Sequence, residues 1–214
     1  MKTIAKPFQA DLTINKSRFI CRIFNADNSI EAKKIIQGMK NKYYDATHNC
    51  SAYITTDGEG YDDDGEPSGT AGKPMLNILK KNDLKNLVAI VTRYFGGIKL
   101  GAGGLVRAYS KSVLEVLAIA EIVEMKHYQL YKISFNYQNI KFVDDEIRNY
   151  KIAILNKNFE EKVYYKIAID NDTIAPFFEK LNLKIEIINI GKKYLYIDKS
   201  AIWNIVKQPY WKKK

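Results

Sequence analysis

Val91-Thr-Arg-Tyr-Phe-Gly-Gly-Ile-Lys-Leu-Gly-Ala-Gly-Gly-Leu-Val-Arg-Ala-Tyr109 decides how the rest of the chain is read. Leu87 to Val91, leading into it, is an apolar and mostly β-branched run, which suits a strand buried on both faces. Gly96, Gly97, Gly101, Gly103 and Gly104 then predict a loop. From Leu105 the apolar positions Leu105, Val106, Tyr109, Val113, Val116, Leu117 and Ala120 follow helical spacing. The stretch therefore predicts strand, glycine loop and helix, with Arg93, Lys99 and Arg107 around the loop. Glycines let backbone N–H groups approach a ligand, and a helix N-terminus carries partial positive charge. An anion site follows from that chemistry, and a tight strand-to-helix turn is the plainer alternative. No register of the loop supplies the Gly-x-x-x-x-Gly-Lys-Ser/Thr of a P-loop, and the dinucleotide fingerprint fails because Leu105 or Val106 stands where its third glycine is needed.

The charge balance points the same way. The chain has 214 residues and a formal charge of +10. Asp57, Glu59, Asp62, Asp63, Asp64 and Glu66 share one decapeptide. The 24 acids less these six leave 18 against 34 bases, a balance of +16 over the rest. A basic field of that size favours an anionic partner or simply keeps the protein soluble. The length allows one large domain or two small ones. Cys21 and Cys50 imply no disulfide framework, and a reducing cytoplasm is expected. The start of the chain leads into no apolar signal region, and no run approaches the roughly 20 residues needed to span a bilayer.

Taken in order, Phe8, Ala10, Leu12 and Ile14 alternate as a half-buried strand, Asn15 to Arg18 is a turn, and Phe19 to Phe24 returns. This hairpin puts Lys16 and Arg18 at its tip, as phosphate contacts or as solvated charges. Asn28-Ser-Ile-Glu31 resembles a capping box ahead of a helix to about Lys42. Cys50, Ala52 and Ile54 predict a third strand. His48, at its entry, has the chemistry of a general base or is a satisfied structural histidine. With Cys50 alone beside it, it is too little for zinc, which usually takes four ligands.

Residues 57–74 form the second informative loop. Asp62, Asp63, Asp64 and Glu66 supply oxygen ligands for a hard cation, but their spacing is not that of an EF-hand. A rigid turn with Asx-type backbone bonds is the competing reading, as is pairing with Arg93 or Arg107. We expect no metal and no cofactor. Pro74 is suited to the first position of a short helix holding Leu76 and Leu79.

Glu121 to Lys126 reads as a polar connector. Beyond it, Leu130–Tyr137, a helix through Ile140, Val143 and Ile147, Ile152–Leu155, Val163–Ile169, a helix capped by Asp172, and Lys184–Ile190 give the order β-α-β-β-α-β. That is the ferredoxin-like arrangement, with Tyr194–Ile197 as an optional added edge. Two α+β domains are predicted, 1–126 and 127–198, each with helices on one side of its sheet. A tail, 199–214, is basic with aromatics, suited to nucleic acid or simply frayed.

Asp63-Asp-Gly-Glu-Pro-Ser-Gly-Thr-Ala-Gly-Lys-Pro74 and the Val91–Tyr109 stretch together resemble the signature of the IMPACT family, in its bacterial YigZ-type form. Lys16-Ser-Arg-Phe19 and His48-Asn-Cys50 fit it too. The resemblance implies an N-terminal α/β sandwich like domain two of ribosomal protein S-five, as in domain four of elongation factor G. It implies a C-terminal domain like that factor's ferredoxin-like domain five. Eukaryotic relatives restrain a translation-regulating kinase and carry an extra N-terminal RWD domain that this sequence does not show. For bacterial relatives the implied role is association with nucleic acid or the translation machinery.

The reading that follows is a cytoplasmic, non-catalytic regulator associated with translation and binding RNA or the ribosome. Arg93, Lys99, Arg107 and Lys73 would contact phosphate beside the backbone of Gly101, Gly103 and Gly104. One alternative is a nucleotide- or phosphate-dependent enzyme using the glycine and acidic loops, although no residue stands out as nucleophile or base. Another is a protein-interaction module.

Overall fold

A computed structural model describes residues 1–181 and 185–196. The chain folds as two units, Met1–Glu124 and a second beginning at Met125.

In the first unit the elements in order are β1 (Lys2–Ile4), β2 (Phe8–Ile14), β3 (Ser17–Asn25), α1 (Ser29–Lys42), β4 (His48–Ile54), β5 (Glu59–Asp62), α2 (Gly72–Lys81), β6 (Leu87–Tyr94), α3 (Gly101–Ile119) and β7 (Ile122–Glu124). Five strands make one antiparallel sheet in the order β2-β3-β6-β4-β5. Central β6 is buried along nearly its whole length, as its apolar run requires. Strand alternation sends Phe19, Cys21, Ile23, Cys50, Ala52, Leu87, Ala89 and Val91 to one face. There they meet Met75 and Leu79 of α2 and Leu105, Tyr109, Val113 and Val116 of α3. The intervening positions Ile20, Val88 and Ile90 are buried on the opposite face, where α1 packs on β4 and β6 with Ala32 and Ile35. The sheet therefore has helices on both faces, where the sequence predicts one side. A strand apolar at every position needs cover on both faces.

Several boundaries differ from the sequence reading. The β2–β3 turn is only Asn15-Lys16, both at positive φ (46° and 64°), so Arg18 lies within β3. A two-residue turn of that kind matches the twist of its strands. Glu59–Asp62, expected to be loop, is an edge strand on β4. The expected connector contains β7, which pairs with β1 and ties the unit's two ends together. Pro74 is the third residue of α2, since the helix opens at Gly72. Most consequential, α3 opens at Gly101, so Gly101, Gly103 and Gly104 are helical. Arg107 thus lies in the second turn. The cap of α1 does form: the Asn28 side chain accepts the Glu31 N–H at 2.9 Å. Glu31 in turn accepts from Asp27 N–H, one residue ahead of the reciprocal box.

In the second unit, β8 (Lys126–Phe135), α4 (Ile140–Asn149), β9 (Ala153–Phe159), β10 (Val163–Ile169), α5 (Ile174–Lys180) and β11 (Glu186–Leu195) follow in order. The antiparallel sheet runs β11-β8-β10-β9. Its core joins Ile133, Phe135, Tyr165 and Ile167 to Val143 and Ile147 of α4 and Phe177 of α5. Asp172 lies in a 3-10 turn ahead of α5 and does not cap it; Thr173 holds the cap position with no side-chain bond. Tyr194 and Leu195 belong to β11 and form no separate edge strand. Ile197, Asp198 and the tail 199–214 lie outside the described residues.

Candidate functional site

Three sequence-flagged pieces converge at one end of the five-stranded sheet. Arg93, near the end of β6, has Phe19 of β3 and His48 of β4 as its cross-strand neighbours. Its guanidinium lies 5.3 Å from the Phe19 ring centroid and 5.4 Å from that of Phe95. Nη1 donates to Glu66 Oε1 at 2.5 Å, and Nη2 to Ser17 Oγ at 3.4 Å. Nε has no hydrogen-bond partner among the described residues. Arg93 is buried, so it is not the open phosphate contact expected of it. The acidic loop that closes over the strand end supplies its counter-ion.

Glu66 is the hub of that closure. Oε1 also accepts from the Tyr109 hydroxyl at 2.7 Å, and Oε2 lies 3.8 Å from His48 Nε2. One carboxylate thus joins the acidic loop to β4, β6 and α3. The Cys50 thiol donates to Tyr109 Oη at 3.3 Å or to the Asp63 carbonyl at 3.0 Å. Burial pushes both the Cys50 thiol and the Tyr109 phenol far up from their ordinary values, so both stay protonated. Cys50 is therefore poorly suited to act as a nucleophile. His48 holds the Asp64 carbonyl through Nδ1 at 2.8 Å, which makes it a brace of the acidic loop.

The remaining acids are engaged one by one. Asp63 accepts the N–H groups of Gly69, Ala71 and Gly72 at 2.7, 3.0 and 2.7 Å, and so caps α2. Asp62 and Asp64 both receive Lys40 Nζ, at 2.8 and 2.5 Å, so an ammonium occupies the space between them. Asp62 also accepts Asp64 N–H, an Asx turn, and Asp64 accepts Asn49 N–H at 2.6 Å. Among the described residues no group of three or more His, Cys, Asp or Glu is placed to hold a metal. Asp64 takes a left-handed backbone (φ 45°), held by these contacts.

Above this buried layer lies an open one. Gly96 packs on the β2–β3 turn so closely that a Cβ would fall 2.0 Å from the Lys16 carbonyl carbon. This glycine is required for close approach, and it brings Lys16 beside the glycine loop. Gly96 N–H donates to Ser17 Oγ at 3.2 Å. Lys16 and Lys99 are exposed, as are Phe95 and Ile98. Arg18 is spoken for, donating to Asp11 through Nε at 2.8 Å. The α3 N-terminus has no side-chain cap and no acid in its first turn. Gly101 and Gly103 are exposed, and Gly104 is half-buried. Arg107 is exposed, and its guanidinium folds back so that Nη1 would lie 3.6 Å from a Cβ on Gly103. A helical side chain leans toward the N-terminus, which returns Arg107 to the first turn. Lys73 is exposed in the first turn of α2, where Asp63 already holds the N–H groups.

The structure therefore divides the flagged residues into two sets. Arg93, His48 and Glu66 form a buried brace with Asp62, Asp63 and Asp64 around it. Lys16, Lys99, Arg107 and the α3 glycines remain open above it. Sequence reading did not single out Ser17, Lys40 or the Tyr109 hydroxyl as members. Each stands in an ordinary helix or strand pattern, with no local signal for a partner dozens of residues away.

Comparison with known proteins follows the same residues. A sequence model described as the Impact N-terminal domain matches residues 15–117, from the hairpin tip through most of α3. IMPACT family member YvyE of Bacillus subtilis (strain 168) is 41% identical over 180 residues, 83% of each chain. IMPACT family member YigZ of Escherichia coli (strain K12) is 32% identical over 182 residues, 83% of this chain and 89% of that one. A solved structure described as the crystal structure of a hypothetical protein matches with a TM-score of 0.65 at 30% identity. The match covers 88% of this chain and 96% of that one. With the buried brace, the glycine loop and the matched length in agreement, the chain belongs to the IMPACT family, among bacterial members such as YvyE and YigZ.

Proposed function

We propose that this protein is a non-catalytic, cytoplasmic regulator that binds RNA or the ribosome through the exposed layer at the start of α3. One observation carries the reading: the α3 N-terminus is uncapped, glycine-lined and free of acids, with Lys99 and Arg107 beside it. No acid stands between Val88 and Leu114, so nothing nearby in sequence neutralises these bases. A phosphate there would meet free N–H groups, a helix dipole and exposed cations together. Lys16 would reach it from the hairpin, and Lys73 would add charge nearby. Arg93 acts from below, holding the glycine loop through Phe95 and Ser17.

The translation end of the proposal is supported by the fold implied by the family resemblance. Residues 1–126 would be the α/β sandwich shared with domain four of elongation factor G. Residues 127–198 would be its ferredoxin-like companion, ahead of the tail 199–214. The β-α-β-β-α-β order with β8 and β10 central is consistent with that companion. Against an enzymatic reading stands the use of every acidic-loop carboxylate in holding the chain's own groups.

The test is fluorescence anisotropy of the full chain with labelled RNA oligonucleotides of unrelated sequence. Lys99→Ala/Arg107→Ala should weaken all of them alike and lower the salt slope by about 0.7–0.9 for each phosphate no longer neutralised. Unchanged affinity in a variant that still melts like wild type would overturn the reading.

A further inference from the structure

The second unit carries a surface that the proposed site does not use. Its helices α4 and α5 pack on one face of the sheet, and among the described residues no helix packs on the other, where Leu130, Ala153 and Ala168 form a small buried cluster at one end. Register places the side chains of that face in rows. Ile188, Lys132, Lys166 and Asn156 make one row across all four strands. Glu186, Ser134, Tyr164 and Asn158 make the next. Lys132 and Lys166 stand directly opposite each other on the two central strands, and both are exposed.

Two like charges placed opposite each other across a sheet cost stability. Among the described residues neither lysine pairs with a carboxylate, and Glu186 is taken by Lys162 and Ser134. The Lys132 ammonium lies 4.6 Å from the Tyr164 ring centroid instead. That ring is half-buried in the neighbouring row. Asn156 and Asn158, both exposed at the β9 edge, offer amide donors and acceptors. Ile188 is 55% exposed at the β11 edge.

We infer that the face of the second unit's sheet opposite α4 and α5 binds single-stranded RNA, with its backbone phosphate between Lys132 and Lys166 and a base stacked on Tyr164. The charge is complementary: a phosphate placed between the two lysines removes their mutual repulsion. The geometry suits a single strand, because the bases must be unstacked to lie on a flat sheet. Four-stranded sheets bearing aromatics on central strands read RNA in this way. A folded duplex would present only its backbone to the face and leave Tyr164 unused. The asparagine amides lie along the same rows, within reach of the edge of a base held on Tyr164. This inference shares its ligand class with the proposed function but none of its residues, so the two stand or fall separately.

The experiment uses the full chain, a fluorescein-labelled single-stranded RNA of twelve mixed nucleotides, and the same sequence as a duplex. Lys132→Gln/Lys166→Gln should weaken single-strand binding and reduce the salt slope by roughly 0.7, the value for one phosphate of a single strand. Tyr164→Leu should weaken it at least roughly fivefold, as expected when one base no longer stacks on an aromatic ring. It should leave duplex binding within twofold. Thermal melting checks that each variant is native. Photo-cross-linking with 4-thiouridine should mark the peptide containing Tyr164. Loss of binding in Lys99→Ala/Arg107→Ala, with no change in either second-unit variant, would overturn this inference and leave the proposed function standing. The reverse pattern would uphold this inference and remove the other. A wild-type chain that binds neither RNA would overturn both.

Discussion

Arg93 and Glu66, 27 residues apart in sequence, form an ion pair at 2.5 Å whose side chains are 6% and 3% exposed. The pair closes the acidic loop onto the end of β6. Its geometry also explains why a reading of local charge placed Arg93 in solvent: the neutralising acid comes from another loop. A buried pair of this kind contributes little over an apolar replacement, yet breaking it by halves is expensive.

We therefore expect Glu66→Gln or Arg93→Met alone to destabilise the protein by about 3–5 kcal/mol. Glu66→Gln/Arg93→Met together should cost less than the sum, because no charge is left unpaired. Urea unfolding of the four proteins as a double-mutant cycle measures the coupling. Additive effects would show that the pair is not coupled.

Asp63 is the anchor of α2. Three N–H groups depend on its carboxylate, so Asp63→Ala should cost about 2 kcal/mol, the upper end for a capping residue. Amide hydrogen exchange should speed up first at Gly69, Ala71 and Gly72. If exchange there is unchanged, the cap has another source.

Gly96 and Gly97 are adjacent glycines with different reasons to be glycine. Gly96→Ala drives a Cβ into the backbone of Lys16, which cannot swing aside. We expect about 3 kcal/mol of destabilisation, the upper range for overpacking. Gly97 has open space but a φ of 83°, so Gly97→Ala should cost about 1 kcal/mol of backbone strain. Equal effects on thermal melting would contradict the docked hairpin.

Lys40 and Asp62 set a pH window. The Lys40 hydrogen bond holds the Asp62 carboxyl below its ordinary range. Burial pulls the Lys40 ammonium down, but its bonds to Asp62 and Asp64 outweigh burial and raise it. A depressed acid stabilises fully above its unfolded value of about 3.9 and loses that as pH falls through its folded value. A raised lysine stabilises fully below its unfolded value of about 10.4 and loses that as pH rises through its folded value. The melting difference between wild type and Lys40→Met should thus be constant between about pH 5 and 9 and shrink at both ends. A difference that varies across the middle would point to another group.

Much of the fold was legible because its signals are local. Phe8, Ala10, Leu12 and Ile14 alternate as β2 does, Asn28 caps α1, and the second unit's β-α-β-β-α-β order follows from its periodicities. The family could be read from its two loops for the same reason: their residues are contiguous. β5 and the β1–β7 pair were missed, because short strands carry too few residues to show a period.

The charges and glycines were another matter, since what decides them lies far away along the chain. Gly101, Gly103 and Gly104 have poor helix propensity, yet they form the first turn of α3 because Leu105, Tyr109 and Val113 bury the turns that follow. The sequence by itself determined the strand and helix pattern, the basic balance and the family, all set by residue type and local spacing. Only the tertiary structure decided which charges are free. Glu66 reaches Arg93, Lys40 reaches Asp62 and Asp64, and Lys16 meets Gly96 only once the sheet is assembled, while Lys99 and Arg107 stay in water. Backbone preference acts over a few residues, whereas a charge takes whichever partner folding brings within a few ångströms.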